Sequence, residues 1–132
     1  RHAGFEARGQ FARVFIGDAA RLNDALTLLI GVAPNIARQL QGYYLETSKL
    51  LPLLPWGHEI GVFARFEDFD TQYRMPEGQE PVPEFNRRAF TVGTNYYLDP
   101  DVVVKFDYTH QQSAGTIRRA PRAFNVGIGW WF

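Results

Sequence analysis

The chain contains no cysteine and carries no net charge, and each absence excludes a class of function. Without cysteine there is no disulfide framework, no thiolate nucleophile and no zinc or iron–sulfur site built on thiolates. Because 14 Lys and Arg residues balance 14 Asp and Glu residues, the basic excess expected of an electrostatic nucleic-acid binder is missing. No run approaches the roughly 18–20 apolar residues of a membrane-spanning helix.

Catalytic and targeting signals are also absent. The histidines lack ligand spacing, the serines lack a nucleophile-elbow context, and no calcium-loop spacing occurs. Gly127-Ile-Gly129 is explained better by small residues that relieve crowding than by a dinucleotide site. We therefore predict no enzymatic activity, no metal and no cofactor. No signal peptide opens the chain, and it begins with Arg1 and not Met, so we expect a processed product or part of a longer protein.

Aromatic side chains, 15% of the 132 residues, recur with a period of two. Alternation of apolar and polar residues is the signature of β-strands, and it appears in segments 5–11, 42–49, 59–70, 87–98, 102–111 and 123–132. Asp99-Pro100-Asp101 predicts a tight turn between two of them. The pattern indicates an all-β protein of about six strands, with the phase near Val14 left open.

One segment has helical spacing instead. Asp18 is a candidate N-cap and Gly31 a candidate C-terminal stop. Between them the apolar positions recur three or four residues apart, at Leu22, Ala25, Leu26, Leu29 and Ile30. We expect a helix packed within a long loop between two strands.

The connections favour an up-and-down membrane barrel over a soluble sandwich. Alternation alone fits both. In chain order, however, the loops run long, short, long, short and medium, as expected when periplasmic turns are short and extracellular loops long. The apolar-phase aromatics also lie toward strand ends, as in the aromatic girdles of membrane proteins.

The last strand resembles the terminal signal of Gram-negative outer-membrane β-barrels. It places an apolar residue at every second position up to the last residue, at Phe124, Val126, Ile128, Trp130 and Phe132. Segments 61–72 and 90–108 are similar to the last strands of bacterial porins, including those related to phosphate-selective porins. The resemblance implies an outer-membrane porin, passive and without cofactor, for small hydrophilic solutes or ions. It also implies a periplasmic C-terminus, contact with outer-membrane lipid, and assembly by the barrel assembly machinery through the terminal strand.

Six strands are too few for a membrane barrel, which needs at least about eight. Open edges are not tolerated in lipid. We therefore expect residues 1–132 to be a single barrel segment, the C-terminal part of a larger barrel whose other strands belong to the same protein or to other subunits. Two alternatives stay open: a structural barrel that acts as an anchor or scaffold in a multi-protein complex, favoured if segment 18–40 plugs the lumen, and a soluble all-β binding module.

If the apolar stripes face lipid, the opposite stripes face the lumen. The predicted pore-lining residues are Glu6, Arg8, Gln10, Tyr44, Glu46, Arg65, Glu67, Asn95, Lys105, Asp107 and Thr109. Opposed cations and carboxylates narrow a pore and set a transverse field, although the same pairs can simply brace the wall. Because both signs are present, we expect weak ion preference.

A second candidate site is basic and lies in the loops on the side predicted to be extracellular. Its members are Arg87, Arg88, Arg118, Arg119 and Arg122. Guanidinium groups suit phosphate recognition, so these residues are candidates for contact with lipopolysaccharide phosphates or for a funnel for anionic solutes. Solvated loop charge is the simpler interpretation.

Overall fold

The computed structural model describes residues 4–52, 58–115 and 121–131. Phe132 of the predicted terminal signal and Arg118 and Arg119 of the predicted basic cluster lie outside these residues. The elements are β1 (Phe5–Phe15), α1 (Ala19–Ile30), β2 (Gln39–Pro52), β3 (Glu59–Arg74), the 3-10 turn η1 (Pro83–Phe85), β4 (Asn86–Asp99), β5 (Val102–Ser113) and β6 (Arg122–Trp130).

The strands form one six-stranded sheet in the order β1-β2-β3-β4-β5-β6, and every neighbouring pair is antiparallel. The predicted all-β meander is therefore confirmed. β1 and β6 form the two edges of the sheet, so these strands do not close into a barrel by themselves. The long connections, which carry α1 and η1, lie at one end of the strands, and the tight Pro100-Asp101 turn lies at the other.

Strand register separates polar from apolar side chains in the central rows of the sheet. Arg8 lies opposite Glu46, which lies opposite Arg65, and this row belongs to what we call the polar face. One residue along, Leu45 lies opposite Phe66, which lies opposite Phe90, and this row belongs to the apolar face. Because the side-chain period in a strand is two, a continuous register carries the same segregation to β6.

The apolar face is not covered by the described residues. Side chains along β4 to β6 are widely exposed, among them Phe90 at 50%, Phe124 at 69% and Ile128 at 66%. The buried hydrophobic residues in the described part are only alanines, Ala19, Ala37 and Ala89. The sheet thus lacks the large apolar core that a soluble two-layer β protein would build.

What is buried consists mainly of polar groups at the loop end of the sheet. Asn23, Gln39 and Gln72 are 2%, 3% and 6% exposed. The Asn23 side chain accepts a hydrogen bond from the backbone N–H of Ile36 at 2.7 Å and donates to the Ile36 carbonyl and to Gln79 Oε1, each at 2.9 Å. This amide network joins α1 to the loop between β3 and β4.

The strands are longer than predicted, above all at the loop end. β2 begins at Gln39 and β3 continues to Arg74, where a two-residue bulge shifts the pairing from Gln41 opposite Asp70 to Gln39 opposite Arg74. Within the bulge, the backbone N–H of Gln72 donates to Asp70 Oδ1 at 2.8 Å. β6, in contrast, ends at Trp130, and the backbone N–H of Trp131 donates to the Asp101 carbonyl at 3.2 Å.

The predicted helix is present, but its packing differs from the prediction. Asp18 and Gly31 flank it as predicted, and Gly31 has φ 71° with its N–H bonded to the Thr27 carbonyl. Asp18, however, has φ 50° and its side chain makes no capping bond. Leu28 and Leu29 are 89% and 83% exposed, so the helix does not bury its apolar stripe. In the described part of the chain, no helix is both long and apolar enough to cross a bilayer.

Two glycines of the polar face have different surroundings. A Cβ at Gly93 would stand 2.6 Å from the Phe63 ring and from the Phe106 carbonyl, so Phe63 packs directly on the Gly93 backbone. A Cβ at Gly127 meets nothing within 4 Å in the described structure. Of the two glycines for which relief of crowding was predicted, Gly129 would place a Cβ 3.3 Å from Val103 Cγ1, whereas Gly127 is not crowded by any described residue.

Candidate functional site on the polar face

The polar face is concave and holds a groove of about 540 Å³. Its lining comes from β1 to β5 and from Trp131, with Glu6, Arg8, Arg65, Asn95 and Lys105 among the contributing residues. Since residues of the edge strand β1 and of β5 share one groove, the sheet curves toward its polar side. The predicted pore-lining residues all lie on this face by register, while their role in a pore stays a prediction.

Arg65 is the centre of the charged part of the groove. Its Nη1 lies 3.9 Å from Glu46 Oε2 across the strand pair, and its Nε lies 3.4 Å from Glu67 Oε2 on its own strand. The Nε contact lacks hydrogen-bond geometry, and the guanidinium carbon lies 5.9 Å from the centroid of the Tyr44 ring. The cation is thus held by a two-sided ionic environment and not by a rigid bidentate bond.

A second ion pair lies nearer the sheet edge. Arg8 Nε donates to Glu6 Oε1 at 2.6 Å, two residues away on the same face of β1. With Glu46 opposite Arg8 and Arg65 opposite Glu46, the signs alternate from strand to strand. Alternation keeps neighbouring charges compensated and lowers the field that any one of them projects into the groove.

The β4–β5 side of the polar face carries hydroxyl and amide groups besides the charged Lys105 and Asp107. Thr91, only 3% exposed, lies 2.9 Å from Thr109 through their Oγ1 atoms. Asn125 Nδ2 donates to Asp107 Oδ1 at 2.6 Å, which ties β6 to β5. A solute in the groove therefore meets charged side chains on both sides, with the neutral Thr91 and Asn95 of β4 between them.

The charges of the predicted pore-lining set nearly cancel. Glu6, Glu46, Glu67 and Asp107 outnumber Arg8, Arg65 and Lys105 by one. A one-sided ladder of cations, which an anion-selective pore uses, is absent from the described polar face. In the described part of the chain, no group of three or more His, Asp or Glu side chains forms a metal site.

The predicted basic cluster is not brought together in the described part of the chain. Arg87 is on the polar face, where its Nε donates to the Glu84 carbonyl at 2.9 Å. Arg88 is on the opposite face, paired with Asp68 Oδ2 at 2.8 Å. Arg122 also lies on that opposite face, beside His110. A converging phosphate site formed by these three residues is therefore not present.

The described residues of the predicted terminal signal lie on one face of β6. Phe124, Val126, Ile128 and Trp130 share the apolar face and are 61–69% exposed. β6 also leaves one side unpaired at the sheet edge.

Segment 18–40 does not fill the groove. Its contacts run from Asn23 to Gln79 and from the Asn35 carbonyl to Gln72, at the loop end of the sheet, and none of its residues lines the 540 Å³ groove.

Sequence reasoning missed several residues of the groove. Phe63, Tyr97 and Ser48 share the polar phase of their strands and line it, as does Trp131. The parity of Phe63 relative to Arg65 already placed Phe63 on the polar side, but the predicted pore-lining set did not include it.

In comparison with known proteins, the chain is similar to a distant relative of unknown function. The chain is 26% identical over 142 residues to an uncharacterized protein of Aquifex aeolicus (strain VF5). The alignment covers all of this chain but only 31% of that protein, so the chain spans about a third of its relative's length. No family model matches the chain, and no solved structure matches it.

Proposed function

We propose that this chain is the C-terminal part of an outer-membrane porin that allows passive diffusion of small hydrophilic solutes or ions. The observation that carries the proposal is the segregation of side chains between a concave polar face and a widely exposed apolar face. Exposed apolar surface on this scale needs a covering. In membrane β-barrels, antiparallel strands present their apolar face to lipid and their polar face to the lumen, so we take lipid as the covering here.

The size of the apolar band supports the same function. From Phe90 to Leu98 on β4 the apolar face runs for eight residue steps, about 26 Å along the strand. A tilt of about 40° brings this to roughly 20 Å, close to the band of about 25 Å in membrane barrels. Aromatic residues lie near both limits of the band, as with Phe11 and Tyr43 at one and Trp130 at the other.

The remaining strands come, in this proposal, from the rest of a longer polypeptide. The Aquifex protein to which the chain is similar is about three times as long as the aligned region, which leaves room for further strands. The unpaired sides of β1 and β6 are where those strands would join.

Two measurements on the native protein test the proposal. Intact mass of the polypeptide extracted from the membrane fraction should be several times the 15.1 kDa of this chain. The purified protein should then conduct ions in planar bilayers. An intact, folded barrel that does not conduct would overturn the porin function and leave the anchor or scaffold alternative. A mass near 15.1 kDa would favour a barrel that is completed by strands from other subunits. Solubility without detergent would favour a soluble binding module.

A further inference from the structure

The loop that carries α1 lies on the outer side of the sheet. At the loop end of β1 and β2, Val14 and Leu40 form a row on the polar face, and Phe15 and Gln39 form the next row on the apolar face. Val14 is 53% exposed while Gln39 is 3% exposed. The groups that bury Gln39 therefore lie on the apolar side of the sheet. The polar side at the same level, where Val14 lies, remains exposed.

The covering groups are identified by their hydrogen bonds. Gln72, in the bulge of β3 just before the partner of Gln39, donates from Nε2 to the Asn35 carbonyl at 2.8 Å and accepts at Oε1 from the Val82 N–H at 2.7 Å. Asn23 then connects α1 to the same assembly through Ile36 and Gln79. The helix is thus fixed to the outside of the sheet.

Only one side of α1 is used in this attachment. Ala19 and Asn23 are buried, and Leu26 is half-buried. An adjoining stripe of Leu22, Ala25 and Leu29 is exposed, and Leu28 beside it is 89% exposed. Nothing within the described chain covers this apolar stripe.

We propose that the exposed apolar stripe of α1 inserts into the headgroup and acyl boundary of the lipid leaflet that surrounds the barrel. The inference rests on the proposed function, since it takes the apolar face of the sheet as the lipid-facing wall. Lipid is the expected contact of this stripe because the apolar surface of the sheet continues up to the helix. Phe11 and Phe15, 59% and 69% exposed on the apolar face of β1, extend this surface to the row where the loop is attached.

The height of the helix also fits. Gln39 is four residues beyond Tyr43, which is about 13 Å along the strand and roughly 10 Å along the membrane normal after tilt. Headgroups occupy about 5–8 Å on each side of the hydrocarbon core, and a helix reaches about 5–6 Å from its axis. A helix attached at Gln39 therefore reaches the interface, where amphipathic helices bind lipid. Between the two phenylalanines, Arg13 stacks 5.3 Å from the Phe11 ring centroid, a position suited to headgroup phosphates.

The test is lipid quenching of a fluorophore at single added cysteines. The chain has no cysteine of its own, so each substitution adds one label site to it. Leu29→Cys reports on the stripe, and Asp24→Cys, about 140° away around the same helix, is its matched control. Ile128→Cys marks the apolar face and Gln10→Cys the polar face. All four are labelled in the full polypeptide, reconstituted in phosphatidylethanolamine–phosphatidylglycerol vesicles that contain nitroxide lipids.

The expected result is strong quenching at Leu29 and Ile128 and little at Asp24 and Gln10, with a blue-shifted emission at Leu29. Quenching at Ile128 without quenching at Leu29 overturns the inference and leaves the proposed function standing. In that case, quenching of Leu29 by aqueous iodide would place the stripe in water, and protection from both quenchers would place it against protein. Absence of lipid quenching at Ile128 overturns the proposed function itself.

Discussion

Arg65 lies between Glu46 and Glu67 on the polar face, 3.9 Å and 3.4 Å from their carboxylates. Removing its charge takes away the cation that Glu67 and Glu46 share, and leaves Glu46 with Arg8 as its cross-strand neighbour. At about 4 Å in water, one carboxylate attracts a cation by about 1 kcal/mol, enough for a several-fold change in occupancy.

Arg65→Gln is therefore expected to raise the cation-to-anion permeability ratio several-fold. The measurement is the reversal potential of the full-length protein in planar bilayers under a potassium chloride gradient. Arg88→Gln is the matched control, because Arg88 forms a 2.8 Å ion pair with Asp68 on the opposite face. An equal shift in both variants, or none in Arg65→Gln, would contradict the assignment of Arg65 to the ion path.

Gly93 gives a second prediction at the same scale. A Cβ there would stand 2.6 Å from the Phe63 ring and from the Phe106 carbonyl. The ring can turn, but the backbone carbonyl of the neighbouring strand cannot move without disturbing the ladder. We expect Gly93→Ala to lower the free energy of unfolding by about 1–3 kcal/mol, measured by urea titration in lipid vesicles. Gly61→Ala places its Cβ 3.5 Å from the Tyr97 ring, ordinary contact distance, and should cost much less. Similar losses in the two variants would argue against the Phe63–Gly93 packing.

At the level of elements, the loop between β1 and β2 is attached to the sheet through very few groups. Asn23 is 2% exposed and makes three hydrogen bonds through its side-chain amide. Because α1 buries little else, its position depends on this amide more than on apolar packing.

Asn23→Ala should release the loop without unfolding the sheet. It leaves the Ile36 N–H and the Gln79 side chain without their partner, a cost of about 1–3 kcal/mol. Hydrogen exchange and protease cleavage should rise within residues 16–38, while exchange in β3 to β5 stays unchanged. Asp24→Ala, at an exposed neighbouring position, should leave both unchanged. Loss of protection throughout the sheet would show that the loop and the strands unfold as one unit.

The elements differ in how far the sequence alone predicted them. Alternation located the six strands and the face of the residues assigned to them, because a period of two is a local property. It left the phase at Val14 open, and the Arg8–Glu46–Arg65 row follows only from the register of the structure. The buried Asn23, Gln39 and Gln72 were missed, since burial of a polar side chain depends on partners more than ten residues away along the chain. The helix was located by its spacing, but its apolar stripe was wrongly expected to be packed within the loop. Periodicity shows that a helix has an apolar side and not what covers it.

At the scale of the whole molecule, the arrangement is inside-out relative to a soluble β protein. Large apolar side chains lie on the outside, and the concave side carries the ion pairs. In water this arrangement would leave the apolar face exposed, so a covering from outside the described residues is needed, and we propose that this covering is lipid. A charge placed on either face therefore reports which of the two meets lipid.

Val92→Arg makes that test near the middle of the band. Val92 is on the apolar face, 40% exposed, opposite Ala64 and Tyr108. If this face meets hydrocarbon, the arginine should cost about 2–4 kcal/mol, the value for a cation near the midplane of a membrane barrel. Asn95→Arg, three residues further on the polar face and opposite Lys105, should cost little in folding, because a cation that faces the lumen of the proposed pore stays hydrated. The measurement is the free energy of folding of the full polypeptide into vesicles. A larger cost at Asn95 than at Val92 would reverse the assignment of the two faces, and with it the proposal of a porin.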